Sequence, residues 1–250
     1  MEYYGLSDIG MKRVENQDTF LVKDADGCIV SIVCDGMGGA KGGKLAAEMA
    51  AKSFMKAFFA AFEEFCRNGD AMSVSVGIPR AIKNAVKVAN KEIYDRAAEE
   101  PEYAGMGTTL VGCVLYNGTC YAVNVGDSRL YCYCDGELRQ ITSDHTYLQF
   151  LKQSGTKVTK RMEKNEKGVI TRALGPNERV VPDTYVFDIG ENDCYVMCSD
   201  GLYNMIGDRE IEIGMSRLKN ENVENVCRDL VHKANQMGGK DNITAVIIKV

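Results

Sequence analysis

Apolar residues along the chain fall into two kinds of run. Short runs rich in β-branched and aromatic residues, at 28–34, 109–116, 119–125, 130–134, 185–189, 194–198 and 243–250, read as strands. Asn117-Gly118 splits the second from the third, and Asp135-Gly136 separates the fourth from a further strand at 137–141. Both dipeptides favour the positive φ of a type I′ turn, so the runs they join are predicted to be antiparallel hairpins. Three longer runs have helical spacing. Residues 45–66 are rich in Ala, Met and Phe and apolar over a wide face, which calls for a large packing partner. Residues 78–99 carry Ile82, Val86, Ala89 and Ile93 on one face, with Pro79 suited to a first turn. Val223, Val226, Cys227, Leu230, Val231 and Ala234 follow the i, i+3, i+4, i+7, i+8 pattern, and Gly238-Gly239 closes that helix. Hairpin-linked strands with helices in separate blocks predict antiparallel sheets with helices packed outside. Residues 142–169 are polar, Lys-rich and weakly periodic, with a helix-like piece at 147–154; they read as a surface excursion over the sheet edge.

Composition narrows the class. A chain of 250 residues suits one domain spanning 1–250, and 45% hydrophobic with 26% charged residues excludes wholesale disorder. The net charge of −5 argues against a general nucleic-acid binder, which needs a basic face. The most apolar helix-like segment, 54–65, is interrupted by Lys56, Glu63 and Glu64, so no membrane span is expected, and the first residues lack the pattern of a signal peptide. A cytoplasmic location is the expectation. None of the ten Cys forms Cys-x-x-Cys; most lie in apolar runs and read as small buried hydrophobes in a reducing compartment.

The chemistry lies in the aspartates. Asp35, Asp127 and Asp200 follow apolar strands, and Asp18 and Asp241 precede them. An Asp-Gly after a strand is usually only a turn. Five such carboxylates, if the strand ends converge on one rim, would repel one another strongly, and divalent cations are the natural compensation. Only His145 and His232 could add imidazole, and His232 belongs to the last helical pattern. Oxygen-only ligands favour Mg²⁺ or Mn²⁺ over Zn²⁺. Two such ions can share a bridging water and activate it as a nucleophile. Arg13, five residues before Asp18, is the best available anchor for a phosphate.

Seven ordered motifs then carry a resemblance: Arg13-Val-Glu-Asn-Gln-Asp18, Asp35-Gly-Met-Gly-Gly39, Gly107-Thr-Thr109, Val125-Gly-Asp-Ser-Arg129, Ile170-Thr-Arg-Ala-Leu-Gly175, Ser199-Asp-Gly-Leu202 and Lys240-Asp-Asn-Ile-Thr244. Over about its whole length the chain resembles the metal-dependent protein Ser/Thr phosphatases (the PPM, or protein phosphatase 2C-like, family), and most closely the short bacterial members. The resemblance implies an α+β fold, a four-layer α-β-β-α sandwich of two stacked antiparallel sheets. It implies a centre of two Mn²⁺ or Mg²⁺ ions, with a third, weaker site. Asp35 would bridge the two ions, Gly36 would offer its carbonyl to the second, and Asp200 and Asp241 would complete the first. Asp18 would bind through metal waters, Asp127 would hold the third ion with Asp200, Asn242 would hydrogen-bond near the metal waters, and Arg13 would hold the substrate phosphate. Residues 142–169 would form a flap beside the site. The implied activity is hydrolysis of phosphoserine and phosphothreonine on proteins by a metal-bridging water, opposing a Ser/Thr kinase, in a monomer. The chain departs from the family at Met37, where some eukaryotic members carry a His, at Gly42-Gly43-Lys44, and in lacking a His-Pro pair in the flap.

Three other readings compete. A catalytically silent relative that binds or senses is disfavoured by the retained Asp35, Asp200 and Asp241. A nucleotide hydrolase would use the near P-loop at 38–44, but that run lacks the metal-binding hydroxyl at Leu45 and asks for a mainly parallel sheet. A phosphodiesterase or nuclease would want a basic, aromatic-lined groove.

Overall fold

The computed structural model describes all residues except Lys167, and the side chains of residues 39–41, 68 and 164 are not considered. In chain order the elements are β1 (Glu2–Asp8), β2 (Asp18–Ala25), β3 (Cys28–Met37), α1 (Gly39–Asn68), α2 (Ala71–Glu99), β4 (Gly107–Thr108), β5 (Leu110–Tyr116) and β6 (Thr119–Val125). They continue with β7 (Arg129–Cys134), β8 (Glu137–Gln140), α3 (Tyr147–Gln153), α4 (Lys160–Asn165), β9 (Asp183–Asp188), β10 (Cys194–Cys198), α5 (Asp200–Ser216), α6 (Val223–Gln236) and β11 (Ile243–Lys249).

Every strand pairing is antiparallel. One sheet runs β1-β11-β10-β7-β8; the other runs β2-β3-β5-β6-β9, with β4 paired to β3. Helices α1 and α2 cover the outer face of the second sheet and α5 and α6 that of the first, so the order of layers is α-β-β-α, as the resemblance implies. Burial on both faces explains why the strands read as unbroken apolar runs rather than as alternating ones. On β3, Val30, Ile32 and Cys34 face α1 and α2, whereas Ile29 and Val33 face the other sheet. On β11, Ile243, Ala245 and Ile247 pack under α5 and α6, whereas Val246 and Ile248 point between the sheets. Phe54, Phe58 and Phe62 stack at i, i+4 along the buried face of α1, each fully buried. Burying each such ring is worth roughly 1.5–3 kcal/mol before the entropy cost.

Both anticipated hairpin turns form, with positive φ at Asn117, Gly118, Asp135 and Gly136. Asp26-Gly27 makes a third turn of the same kind between β2 and β3. The Schellman pattern closes α6, with Gly238 N donating to Asn235 O and Gly239 N to Ala234 O.

Several expectations are corrected. Pro79 lies inside α2 rather than in its first turn, because Asp70 caps the helix earlier by accepting from Ser73 N. The Gly-rich run at 39–44 is not a loop but the start of α1. Its glycines serve packing: a Cβ on Gly36 would clash with the Gly43 carbonyl, so β3 and α1 touch backbone to backbone there. Among the described residues the strand pairings are antiparallel and 39–44 is helical, so the nucleotide-hydrolase reading falls. The 142–169 segment holds α4 as well as the anticipated α3, and α5 follows β10 directly where no helix was anticipated. Among the described residues, no helix is long and apolar enough to cross a membrane.

Candidate active site

In an antiparallel sheet the end of one strand and the start of the next share an edge. Here β2 begins with Asp18 where β3 ends with Asp35 and Gly36, and β6 of the same sheet ends just before Asp127, where the chain crosses to β7. In the other sheet β10 runs into α5 through Ser199 and Asp200, beside the start of β11 that follows Asp241 and Asn242. Topology alone therefore gathers residues far apart in sequence on one rim. A cleft of about 500 Å³ there is lined by Arg13, Asp35, Gly36, Asp127, Asp200, Asp241 and Asn242. Asp18 does not line it, but is the direct cross-strand partner of Asp35 and is buried.

Neutral side chains position these carboxylates. Thr109 Oγ1 accepts from Asp35 N at 2.9 Å, and Thr108 Oγ1 donates to Asp35 O at 2.9 Å. Thr109 is tied in turn to Ser128 by a 2.7 Å hydroxyl–hydroxyl bond. Ser199 Oγ donates to Asp18 Oδ2 at 2.7 Å and accepts from Thr244 N, which links the two sheets under the site. Asp200 stands in the first turn of α5, where the helix dipole favours a carboxylate, and accepts from Asn204 Nδ2 at 3.0 Å. Asp127 is buried; the Tyr203 hydroxyl donates to its backbone carbonyl, and the Arg129 guanidinium stacks 3.7 Å above the Tyr203 ring. Arg129 is itself fixed by a bidentate pair with Asp144.

Asn242 spends its amide on the loop between β1 and β2: Oδ1 accepts from Gln17 N, and Nδ2 donates to Ile9 O and Glu15 O. It clamps the segment that carries Arg13 at the edge of the cleft. Arg13 Nη2 donates to Asp241 Oδ2 at 2.7 Å, so the anticipated phosphate anchor is ion-paired with an anticipated metal ligand.

The charge balance of the rim is unfavourable. Burial, then Asp18, Asp200, Asp127 and Asp241, push the Asp35 carboxyl well above the ordinary range. Burial pushes Asp18 up to about 6, against the Ser199 and Thr244 hydrogen bonds, with Asp200 and Asp241 adding to the rise. Burial, with Asp200 and Asp144, pushes Asp127 up to about 7. Asp18 Oδ1 is buried without a hydrogen-bond partner. An orphaned carboxylate oxygen within a cluster of raised carboxyls fits a cation site built of hard oxygen ligands. Among the described residues, no three of these carboxylates offer oxygens that all lie within 4.8 Å of one another.

Sequence reasoning missed the neutral scaffold. Thr108, Thr109, Ser128 and Ser199 lie inside the motifs, yet nothing in a Thr or Ser marks it as a hydrogen-bond partner before the strands are paired. His145 had no assigned role. Its Nδ1 accepts from Gly126 N at 3.0 Å, and its backbone N donates to Gly126 O, which fixes the turn before Asp127. The ring proton is therefore on Nε2, 3.1 Å from Asp183 Oδ2.

The family model described as protein phosphatase 2C matches residues 11–238. The chain belongs to the protein phosphatase 2C family. It is 34% identical to the serine/threonine phosphatase stp of Listeria monocytogenes over 97% of this chain and 93% of that protein. The crystal structure of the serine/threonine phosphatase Stp1 from Staphylococcus aureus superposes with a TM-score of 0.88 at 28% identity, covering 100% of this chain and 94% of that one. The catalytic domain of the Ser/Thr protein phosphatase PstP, solved in complex with two manganese ions, superposes with a TM-score of 0.78 at 30% identity, covering 98% and 96% of the two chains.

Proposed function

We propose that this protein phosphatase 2C member hydrolyses phosphoserine and phosphothreonine monoesters on proteins in a divalent-metal-dependent reaction. The observation that carries the reading is the single cleft onto which Arg13, Asp35, Gly36, Asp127, Asp200 and Asp241 converge from both sheets. The family membership and the two manganese ions of the PstP structure support a two-ion centre. Asp35 would lie between the ions, with the Gly36 carbonyl, Asp200 and Asp241 as further ligands and Asp18 beside them. Asp127 with Asp200 would hold a third. Bound Mn²⁺ or Mg²⁺ would supply the activated water and neutralise charge on the phosphoryl oxygens.

The protein's own groups do the rest. Arg13 leaves Asp241 to grip two phosphate oxygens and orients the ester for in-line attack. Asn242 holds the Arg13 loop in reach of the cleft. Met37 and Ile170 give the cleft an apolar wall for the substrate side chain. A cysteine phosphoenzyme does not fit: Cys34 is fully buried, and burial holds its thiol far above its ordinary value. A second groove of about 580 Å³ shares Asp127 and Asp200 with the cleft and passes between residues of the 142–169 flap and α5. Residues flanking the phosphorylated side chain would lie along it. The setting that goes with this activity is cytoplasmic signalling, with a Ser/Thr kinase as the opposing enzyme and the phosphatase acting as a monomer.

The test is hydrolysis of a phosphothreonine peptide by chelator-stripped protein before and after Mn²⁺ is restored, with a phosphodiester as control. Turnover of the peptide alone, and only with metal, is expected. Folded protein that is inactive under every divalent ion would overturn the reading.

A further inference from the structure

The cysteines that read as inert packing residues contain one arrangement that packing does not explain. Cys132 and Cys134 stand two apart on β7, so both side chains point to the same face, into the space between the sheets. The register of β7 with β10 pairs Tyr133 with Cys194 and Cys132 with Tyr195. Continued by one residue, it sets Asp193 opposite Cys134. The sulfurs of Cys132 and Cys134 and a carboxylate oxygen of Asp193 all lie within 4.8 Å of one another. Cys132 and Asp193 are buried, and Cys134 is partly open at the edge.

Asp193 is held firmly. Gly190 N and the Tyr195 hydroxyl donate to its Oδ2, at 2.8 and 3.1 Å, and Val250 N donates to its backbone carbonyl. Both donors to the carboxylate, a main-chain amide and a phenol, are neutral, so a buried carboxylate faces two thiols with no cation among these partners. Burial, then the Asp193 charge and Cys134, hold the Cys132 thiol above its ordinary value.

We propose that Cys132, Cys134 and Asp193 form a binding site for one thiophilic divalent cation of the Zn²⁺ class, separate from the catalytic rim. Two sulfurs and one oxygen are three ligands of a tetrahedral site, with water as the fourth. Zinc–sulfur bonds of about 2.3 Å set tetrahedral sulfurs about 3.8 Å apart, so a small side-chain movement closes the present spacing. Each thiol gives its proton to solvent on ligation, and binding releases two. The site lies at the far end of the sandwich: β7 leaves the rim at Arg129 and reaches Cys134 five residues on, a separation of about 17 Å. The two ends select by softness. Oxygen-only ligands at the rim suit Mn²⁺ or Mg²⁺, whereas thiolates select Zn²⁺.

Cobalt(II) reads the site without reference to catalysis, because thiolate ligation gives an intense near-ultraviolet sulfur-to-cobalt charge-transfer band and carboxylate ligation at the rim does not. Full-length, chelator-stripped, reduced protein titrated with Co²⁺ should develop this band to one equivalent, and Zn²⁺ should bleach it. Cys134→Ser should abolish the band, and Cys66→Ser, at an exposed thiol on α1, should leave it intact. Phosphatase turnover with Mn²⁺ should stay within about twofold of wild type in both variants, which also reports that they fold. Absence of the band in wild-type protein overturns the proposal, whatever the variants do. A band that survives in folded Cys134→Ser also overturns it.

Discussion

Asp18 and Asp35 stand directly opposite each other in the ladder between β2 and β3. Like charges in that relation destabilise a sheet, and here Asp18 is also buried while Asp35 is half-buried at the cleft. A protein that keeps such a contact has a use for it, and the orphaned Asp18 Oδ1 indicates which. The first prediction follows from the conflict. Asp18→Asn keeps the shape and the Ser199 bond but removes one charge, so metal-free protein should become more stable, by about 1–3 kcal/mol near pH 7. The same variant should gain less thermal stability from Mn²⁺ than wild type does. Thermal unfolding with chelator and with excess Mn²⁺ measures both; a less stable metal-free variant would contradict the account.

Protons and metal compete for the same oxygens, which fixes a pH dependence. Asp18 and Asp127 titrate at about 6 and about 7 in the folded metal-free chain, above an ordinary value of 3.8. Between those limits the folded state holds protons that the unfolded chain has released. This contribution to stability is present in full below the ordinary value and is lost as pH rises through about 6 and about 7. The stabilisation conferred by saturating Mn²⁺ should therefore grow from about pH 5 to about pH 7.5. The comparison is the unfolding midpoint with and without metal at each pH, which cancels groups that titrate alike in both forms.

The fold was legible wherever one residue's chemistry decided the backbone. Asn117-Gly118 and Asp135-Gly136 forced hairpins, and the carboxylates at strand ends marked the rim. Asp18 marked the start of β2 before the short apolar stretch Phe20-Leu21-Val22, and Asp26-Gly27 carries the same hairpin signal at its end. The start of α1 was hidden because Gly42 and Gly43 are poor helix formers, Gly43 kept there by the contact with Gly36 and Gly42 by the contact with Met106. The site's scaffold was illegible for a different reason. Thr109 meets Asp35 across 74 residues and Ser199 meets Asp18 across 181, and only strand pairing brings such residues within a hydrogen bond. The grouping of Cys132, Cys134 and Asp193 is illegible for the same reason, since it forms across two strands and not along one.

Arg13 and Asn242 should behave as one unit. Arg13→Ala is expected to raise KM with little change in kcat, because the guanidinium grips the phosphate in ground and transition states alike. Asn242→Ala releases three hydrogen bonds to the loop that carries Arg13, so it should also raise KM and in addition lower stability by about 1–3 kcal/mol. The double variant should show a kcat/KM close to that of the worse single variant, since both remove the same grip. Strictly additive losses would separate the two residues, and a kcat loss in Arg13→Ala at unchanged KM would reject its role as an anchor.

Thr109 offers a test of the scaffold that leaves every carboxylate in place. Its hydroxyl accepts the Asp35 N–H and bonds Ser128, and the residue is buried. Thr109→Val is nearly isosteric but strands a buried N–H, at a cost of about 1–3 kcal/mol. It does so at the residue that would lie between the two ions. A structural defect alone would lower the unfolding temperature and leave metal demand unchanged. A positioning role predicts more: the Mn²⁺ concentration for half-maximal turnover should rise several-fold, and Thr109→Ser, which restores the hydroxyl, should bring it back towards wild type. Metal titration of turnover in the three proteins decides between them, because the serine variant loses the methyl packing that valine keeps and so separates the hydrogen bond from the volume.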